Sequence, residues 1–554
     1  MDGSTLPAPV APHEAPLDPH PTEPVRRASA GRTPIRTATA SFSTRTLSWS
    51  RLVLLGLAAC LLSSACTGSS SNETDEPGTE TSDDTETSDE TENSLDGESI
   101  TPRPTELAEI EPRDFPPAPQ VPDGPLDPPV AAAAIDVAES IVIEVDPESF
   151  DPFSIDEPSI DTEALDALVA SGDARLGWLI SDLQRFARTR GEAQPLNEAA
   201  EALTGVELEE EFSFREFTDI LIAWDLPAFP SYTEAKRLIF EGTDPRWEFV
   251  FSDTDSEIDQ RWLSWGGVFI DDRPLGSDEP CERGCIPALD DPEVTPASEG
   301  DWYPDEAFVF GVSINDEHRA YPKNIMEVHE MTNDSLGGRR FGLPYCTLCG
   351  SAQLWFTDSV PDSVDTPVLR TSGLLSRSNK VMYDLETRSV FDTFTGEALS
   401  GDLLDIELTL EQGTVVTTTW GEWKAAHPDT TIVAADGGIG REYPLDPLDG
   451  RDDDGPIFPI GGFDDQLAVQ EPVIGVTLDG TSDGAAVAFP VVTATAALAA
   501  DTPVTFGLDG TEVRLSEDGG GFRAATADGT ELAVHEAFWF AWSQFHPSTE
   551  VWRP

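Results

Sequence analysis

Two stretches in the C-terminal half of the chain repeat one pattern of tryptophan, histidine and proline. Residues 420–428 read WGEWKAAHP, and residues 539–547 read WFAWSQFHP. Upstream of each stretch, residues 309–314 (VFGVSI) are echoed by residues 473–478 (VIGVTL). Two motifs in the same order, one of them with identical internal spacing, indicate that a unit of the fold is duplicated. The duplication therefore predicts that the β-rich part of the chain contains two units of the same fold.

We therefore expect a first β-rich unit over residues 281–435 and a second over residues 465–554. Short alternating runs between glycine and aspartate turns predict their strands. Each WxxWxxxHP stretch predicts a short amphipathic helix that ends before the proline. His427 and His546 recur in both copies, so we interpret them as structural residues at helix ends.

The first copy is longer, and the extra residues place a candidate site in it. The stretch from Gly311 to Trp420 is about 45 residues longer than the stretch from Gly475 to Trp539. The additional residues come from the region that contains His329 and the pair Cys346 and Cys349. The second unit lacks this segment, so we expect it to be scaffold.

Residues 329–350 of the first unit concentrate side chains that bind metals. The two-residue gap in Cys-x-x-Cys lets both sulfurs face one ion, and imidazole and carboxylate groups precede it. Thiolate and imidazole donors suit zinc, and methionine sulfur beside them suits copper. Three methionines, Met326, Met331 and Met382, lie in this region. The candidate metal ligands are His329, Cys346, Cys349, Asp334 and Met382, with His318 and Glu330 as alternatives.

Two other interpretations of the cysteine pair remain open from the sequence. In the first, Cys346 and Cys349 form a reversible dithiol, with Arg339 and Arg340 nearby to stabilise a thiolate. In the second, they form a small structural disulfide, and the protein is a surface binding or scaffolding module. No residue pattern in the chain indicates a particular catalytic reaction.

Several short motifs in this half resemble those of a bacterial family catalogued as domain of unknown function 3179. They occur in the family's order over residues 286–554. The motifs are IPALD (286–290), RAYP (319–322), HE (329–330), ND (333–334), GG (337–338), YCTLCG (345–350), SG (372–373) and VMYD (381–384). Thr347 departs from the proline that is usual in the family after the first cysteine. The resemblance implies kinship and no settled activity.

The first 66 residues predict export. Six arginines and no acidic residue lie between Val25 and Cys66. The apolar run 52–62 is too short to span a bilayer and is typical of a signal peptide. Small residues then lead to Cys66, as in a bacterial lipoprotein signal whose cysteine receives the lipid. Cys60 is the alternative lipidation site, and the proline-rich start leaves a downstream initiation site open.

The mature protein is therefore expected at the outer face of the cell membrane, held there by its lipid. Outside the cytoplasm, cysteines pair readily, and Cys281 and Cys285 predict a disulfide that closes a tight loop. The chain carries 104 acidic and 33 basic residues, for a net charge of −71. This charge repels a polyanion, so nucleic acid is excluded as a partner.

Composition divides the rest of the chain. Residues 67–130 are acidic and rich in serine, threonine and proline, which predicts a disordered tether. Residues 150–245 show helical periodicity without a titratable cluster, and they predict an all-helical, repeat-like module. The expected fold class is α+β: a disordered tether, this helical module and a β-rich domain of two duplicated units. The segments with helical periodicity are 174–190, 197–203, 214–224 and 232–240.

Overall fold

The computed structural model describes residues 114–140, 160–277, 279–281, 283–451, 455–478 and 484–554. The predicted signal segment, both candidate lipidation cysteines and most of the predicted tether lie outside these residues. Within the described ranges, no helix has both the length and the apolar character that a membrane crossing requires.

In the described residues, seven α-helices form the helical module. Capping side chains explain where several of them begin. The hydroxyl of Thr189 accepts from the N–H of Glu192, whose carboxylate accepts in return from the N–H of Thr189. The helices are α1 (Pro128–Ser140), α2 (Thr162–Ser171), α3 (Gly177–Phe186), α4 (Arg190–Thr204), α5 (Phe214–Trp224), α6 (Tyr232–Thr243) and α7 (Glu248–Ser252). The all-helical module predicted from the periodicity is confirmed.

The helical module starts earlier than the sequence indicated. Helix α1 begins at Pro128, inside the predicted tether, and its alanines pack into the same core as the other helices. The chain before it is also held, because Trp224 Nε1 donates to the Pro116 carbonyl at 2.5 Å. Arg175 likewise donates to the Gly124 carbonyl at 2.8 Å. These contacts could not be predicted from the proline-rich composition, because they are made to main-chain carbonyls, which every residue has.

Short strands and four α-helices make up the part of the β-rich domain that the structure describes. In the first half they are β1 (Leu263–Trp265), β2 (Leu289–Asp290), β3 (Val294–Pro296), β4 (Phe308–Ile314), β5 (Glu317–Pro322), α8 (Lys323–His329), β6 (Met331–Leu336), β7 (Arg339–Cys346), β8 (Ser351–Ala352), β9 (Leu354–Phe356), β10 (Leu369–Ser376), β11 (Asn379–Asp384), β12 (Val390–Asp392), β13 (Glu411–Gly413), β14 (Val416–Thr419), α9 (Trp420–Ala426) and β15 (Thr431–Val433). In the second half they are β16 (Pro472–Thr477), β17 (Ala486–Pro490), α10 (Val491–Ala499), β18 (Thr505–Leu508), β19 (Thr511–Asp518), β20 (Gly521–Thr526), β21 (Glu531–Leu532), β22 (Val534–Phe538), α11 (Trp539–Phe545) and β23 (Glu550–Val551).

The duplication is confirmed by the sheet topology. The first copy orders its strands β14-β4-β5-β15, and the second orders them β22-β16-β17-β23. In both copies the first two neighbouring pairs are antiparallel and the last pair is parallel. Helices α9 and α11 occupy equivalent positions in the sequence: α9 connects β14 to β15, and α11 connects β22 to β23. The predicted fold class, α+β with two duplicated units, is therefore confirmed.

One contact explains why the two repeated motifs occur together. In the first copy a Cβ on Gly311 would lie 2.5 Å from the ring of Trp423. In the second copy Gly475 and Trp542 meet in the same way. Each indole also donates to a threonine seven residues later, at 3.0 Å in the first copy and 2.9 Å in the second. The glycine in the strand therefore leaves room for the tryptophan of the helix.

The extra residues of the first copy form two sheets. Strands β6 to β13 lie between α8 and β14, where the second copy has only the four-stranded sheet β18-β19-β20-β21. One inserted sheet has the order β13-β9-β7-β6-β2, with β8 paired to β7. The other has the order β1-β10-β11-β12, and its Leu374, Val381 and Tyr383 pack into the core of the helical module. This second sheet therefore joins the helices to the β-rich domain.

Candidate functional site

The cysteine pair lies on the turn between β7 and β8. Cys346 ends β7 and pairs with Ser351, which begins β8. Gly350 closes the turn with φ +58°, and a Cβ there would lie 2.8 Å from the ring of Phe538. Neither cysteine is in a disulfide, and they are only 2% and 0% exposed. The sequence places two buried thiols on one tight turn.

Strand β11 supplies the polar surroundings of the thiols. The carbonyl oxygen of Ser378, just before the strand, lies 3.7 Å from the sulfur of Cys346 and 3.5 Å from that of Cys349. The ammonium of Lys380 contacts Glu330 twice: it donates to the carbonyl oxygen, and it lies 3.1 Å from the carboxylate. Lys380 is 4% exposed, so this charge is held inside the protein.

These neighbours set the protonation of Cys346. Burial of the thiol acts to raise its pKa, and so does the negative charge of Glu330. The hydrogen bond from Cys349, the positive charge of Lys380 and the Lys380 main-chain N–H act in the opposite direction. The net result is a pKa of Cys346 below its ordinary value. A lowered pKa favours the thiolate, which is the reactive form of cysteine.

The second unit covers the thiols. The main-chain N–H of Phe538, at the end of β22, donates to the carbonyl of Cys349 at 2.8 Å. Both cysteines share a hydrophobic cluster with Trp539, Trp542 and other residues of the second copy. The second copy, which the sequence predicts to be scaffold, therefore also forms one wall of the site.

His329 does not join the cysteines. Its Nδ1 lies 2.6 Å from the carbonyl oxygen of Pro287, and its Nε2 lies 2.7 Å from the hydroxyl of Tyr443. Burial lowers the pKa of His329 to about 4, so the imidazole is neutral and both of its nitrogens are engaged. The predicted grouping of His329 with Cys346 and Cys349 is therefore not formed.

Asp334 and Met382 also have other surroundings. The carboxylate of Asp334 accepts from Arg319 and, at 2.7 Å, from the hydroxyl of Tyr321. Met382 is fully buried in a hydrophobic cluster with Met331, where both fill space beside Trp355. Of the five predicted ligands, the structure brings only the two cysteines together. The short spacing in the sequence predicted a common site, but in the folded protein the side chains of His329, Asp334 and Met382 lie in surroundings different from those of the cysteines.

The predicted disulfide between Cys281 and Cys285 is formed. Together with Asp271, these residues are the one group of three His, Cys, Asp or Glu side chains in the described ranges whose donor atoms lie within 4.8 Å of one another. The Asp271 carboxylate is already bound, because it accepts from Arg273 and from the N–H of Ala288. We therefore interpret this group as a structural cross-link.

A buried ion pair accounts for two of the resemblance motifs. Arg370 is fully buried and donates to both carboxylate oxygens of Asp290, at 2.9 and 2.7 Å. Asn333 donates to the same carboxylate and to the Leu369 carbonyl. Asp290 belongs to IPALD and Asn333 to the ND motif, so both motifs tie strands β2, β6 and β10 together. Their role is structural.

The histidines of the repeat end their helices as predicted, and each has a particular neighbour. His427 Nε2 lies 2.7 Å from a carboxylate oxygen of Asp518, on the hairpin of the second copy. His318 stacks on His427, with ring centroids 4.1 Å apart, and its Nδ1 lies 2.6 Å from the Ser313 hydroxyl. Both histidines pack on the second tryptophan of their motif: the ring centroids of His427 and Trp423 are 4.2 Å apart, and those of His546 and Trp542 are 4.1 Å apart.

Comparison with known proteins gives one family. Residues 283–549 match the family described as Protein of unknown function (DUF3179). Residues 283–549 belong to the DUF3179 family. The matched residues of this DUF3179 member include both copies of the β unit, the cysteine turn and the Asp290–Arg370 pair. Neither the curated proteins nor the solved structures contain a match to the chain.

The sequence missed two polar groups of the site. Lys380 precedes the apolar residues Val381, Met382 and Tyr383 in a strand that is buried. A lysine in a buried strand indicates a buried acidic partner, since lysine is rarely buried without one. The carbonyl of Ser378 carried no such signal, because main-chain atoms are contributed by every residue. The structure therefore centres the candidate site on Cys346, Cys349, Ser378, Lys380 and Glu330.

Proposed function

We propose that this DUF3179 domain works through a reversible dithiol formed by Cys346 and Cys349. The observation that carries the proposal is the placement of two buried thiols that are not joined in a disulfide on one turn, beside the Lys380–Glu330 ion pair. A pair of cysteines on a tight turn can close a disulfide without moving the strands. The lowered pKa of Cys346 supports the assignment of this residue as the attacking thiol.

The proposed exchange transfers two electrons and two protons. The Cys346 thiolate attacks one sulfur of a partner disulfide and forms a mixed disulfide, which releases the first partner thiolate. Cys349, as its thiolate, then attacks the Cys346 sulfur and releases the second partner thiolate. The partner disulfide is reduced to two thiols, and Cys346 and Cys349 are oxidised to a disulfide. Lys380 would stabilise the negative charge on Cys346 before the first step.

The test is a redox titration of the full chain in glutathione buffers. Cys60 and Cys66 are changed to serine, so that the candidate dithiol provides the free thiols. We expect one two-electron transition that disappears in the Cys346→Ser and Cys349→Ser variants. The Cys281→Ser, Cys285→Ser double variant is the matched control, because it removes the other pair and should keep the transition. A pair that stays reduced or stays oxidised over the whole range of buffers would overturn the proposal.

A second candidate is that the same two sulfurs hold a soft metal ion. It is favoured by the position of the Ser378 carbonyl oxygen, which lies against both sulfurs and brings them toward one point. Zinc in structural sites takes four protein ligands, and no third His, Cys, Asp or Glu donor in the described chain completes such a group here. Two thiolates alone suit copper(I) better than zinc. Mass spectrometry of metal content in the same variants tests this alternative.

We also propose that the protein is exported and held at the outer face of the membrane by a lipid on Cys66. The proposal rests on the signal-like N-terminal sequence and is supported by the Cys281–Cys285 disulfide, which is typical of oxidising compartments. Labelled fatty acid should be incorporated into the protein in a bacterial host and be lost in Cys66→Ser. Loss in Cys60→Ser instead would move the lipid to that residue, and no labelling at all would overturn the proposal.

A further inference from the structure

A small cavity in the second unit is lined by two buried imidazoles. His535, on β22, and His546, at the end of α11, are each 3% exposed. The cavity has a volume of about 10 Å³, which is room for about one water-sized sphere. The first unit closes it with Phe394 and Gln412. His546 is predicted from the repeat to be a structural residue at a helix end, and no sequence motif includes His535.

The two ring nitrogens of His535 differ. Its Nδ1 lies 3.1 Å from the side-chain amide of Gln412, which also lines the cavity. Its Nε2 is buried and has no hydrogen-bond partner among the residues that the structure describes. A buried polar atom without a partner is destabilising, so such an atom in a native protein requires an explanation, and a bound water or ion is one. Because His535 also lines the cavity, the geometry points to a ligand there.

We propose that His535 and His546 together bind one copper(I) ion in this cavity. Histidines that bind metals usually fix their other ring nitrogen by a hydrogen bond to a neighbouring group. Gln412 is placed to do this for His535, with its amide turned so that the oxygen accepts from Nδ1–H. The side-chain amide of glutamine can take either orientation at this position. Nε2 would then carry the lone pair toward the ion.

The side chains that line the cavity determine which ion it can bind. None of the lining residues is acidic or a cysteine; besides the two histidines they are Phe394, Gln412, Gly475, Thr477, Ala533 and Trp542. A buried divalent ion without a negative ligand carries a far larger desolvation penalty than a monovalent one. Imidazole is a good ligand for copper, and zinc would require ligands that this wall does not provide. A monovalent ion bound by two neutral imidazoles fits these conditions.

The first copy supplies a natural control. His427 is the counterpart of His546, but its Nε2 contacts the Asp518 carboxylate. The counterpart of His535 is Val416, since each of these residues pairs with the glycine of its copy, Gly475 or Gly311. The imidazole beside His427 is that of His318, on β5, and the first copy has no histidine at the position of His535. The second copy thus differs from the first at the position of His535, where the first copy has Val416.

The experiment measures copper(I) binding to the full chain without oxygen, against a competing chelator. All variants carry Cys60→Ser, Cys66→Ser, Cys346→Ser and Cys349→Ser, which removes the free thiols and separates this site from the proposed dithiol. We expect one copper(I) per chain, and a loss of affinity of at least tenfold in His535→Gln and in His546→Gln. His427→Gln should bind as the parent does, and X-ray absorption should show nitrogen neighbours.

Three results would overturn the inference. They are binding that is absent from the thiol-free parent, binding that is unchanged in both His535→Gln and His546→Gln, and a crystal structure with copper that shows only a water between the two rings. Circular dichroism of each variant confirms that it has folded. If a glutamine variant fails to fold, His535→Asn and His546→Asn replace it. A failure here leaves the dithiol proposal standing, because the redox titration uses different residues.

Discussion

The Nζ atom of Lys380 lies 3.1 Å from a carboxylate oxygen of Glu330, and this ion pair borders the Cys346 thiol. The two charges influence the thiol in opposite directions. The ammonium lowers the pKa of Cys346, and the carboxylate raises it. Because the pair is almost completely buried, neither charge is screened as it would be at the surface.

Substitutions at the two positions should therefore shift the pKa of Cys346 in opposite directions. We expect Lys380→Met to raise it and Glu330→Gln to lower it. The rate of alkylation by iodoacetamide as a function of pH, followed in the Cys349→Ser background, measures both changes. Lys424→Met is the control, because Lys424 pairs with Asp305 near the surface. Equal profiles in all four proteins would contradict the electrostatic account.

The Asp290–Arg370 pair should be among the strongest single contributions to stability. Asp290→Ala leaves the fully buried Arg370 without its bidentate partner. Loss of one partner of a buried pair costs about 3–5 kcal/mol, and we expect that decrease in the free energy of unfolding measured in urea. Asp358→Ala removes a partly exposed partner of Arg339 and should cost about 1 kcal/mol or less. Similar losses in the two variants would show that Arg370 is not held as described.

Stability should fall in mild acid because of His329. The folded-state pKa of His329 is about 4, below the ordinary value near 6.5. Unfolded chains therefore take up the proton first, so the stabilising contribution is complete above pH 6.5 and is lost as the pH falls to about 4. The expected loss is about 3 kcal/mol. Burial lowers the pKa of His535 to about 3 as well, so the contribution of His329 is the difference between the parent and a His329→Gln variant in urea unfolding from pH 7 to pH 4. A variant with the full slope of the parent would rule His329 out as a cause.

The glycines below the repeated tryptophans should be intolerant of a methyl group. Gly311→Ala places a Cβ 2.5 Å from the Trp423 ring, and Gly475→Ala creates the same overlap with Trp542. Overpacking of this kind costs about 1–3 kcal/mol, which thermal unfolding would detect. At Gly507 a Cβ would meet no atom within 4 Å, so Gly507→Ala is the control. Unchanged stability in both repeat variants would contradict the shared packing.

Sequence reasoning recovered the repeated parts of the fold because they depend on local patterns. The spacing in residues 420–428 and 539–547 specified two helices, and the structure has them as α9 and α11. Strand β4 was likewise expected from the alternation in residues 308–314. The beginning of the helical module was placed too late, because α1 is a run of small alanines without strong amphipathic character.

The composition of the site was harder to predict, because it depends on contacts between distant strands. His329 and Cys346 are close in sequence, yet helix α8 ends at His329 and turns its ring toward Tyr443. Lys380 is remote from Cys346 in sequence and reaches it only because the inserted strands pack together. His535 gave no signal at all, since a lone histidine in a strand is usually a core residue. Sequence spacing predicts which residues lie side by side on one strand or helix, but it does not predict which strands and helices pack against each other.

The hydrogen bond from Phe538 to Cys349 has a consequence for the order of events in synthesis. Phe538 follows Cys349 by most of the β-rich domain, so the thiols emerge long before the residue that covers them. Until β22 docks, oxidants and metal ions in the surroundings have freer access to the two sulfurs than in the folded protein. A chain truncated before residue 538 would keep its thiols open to solvent.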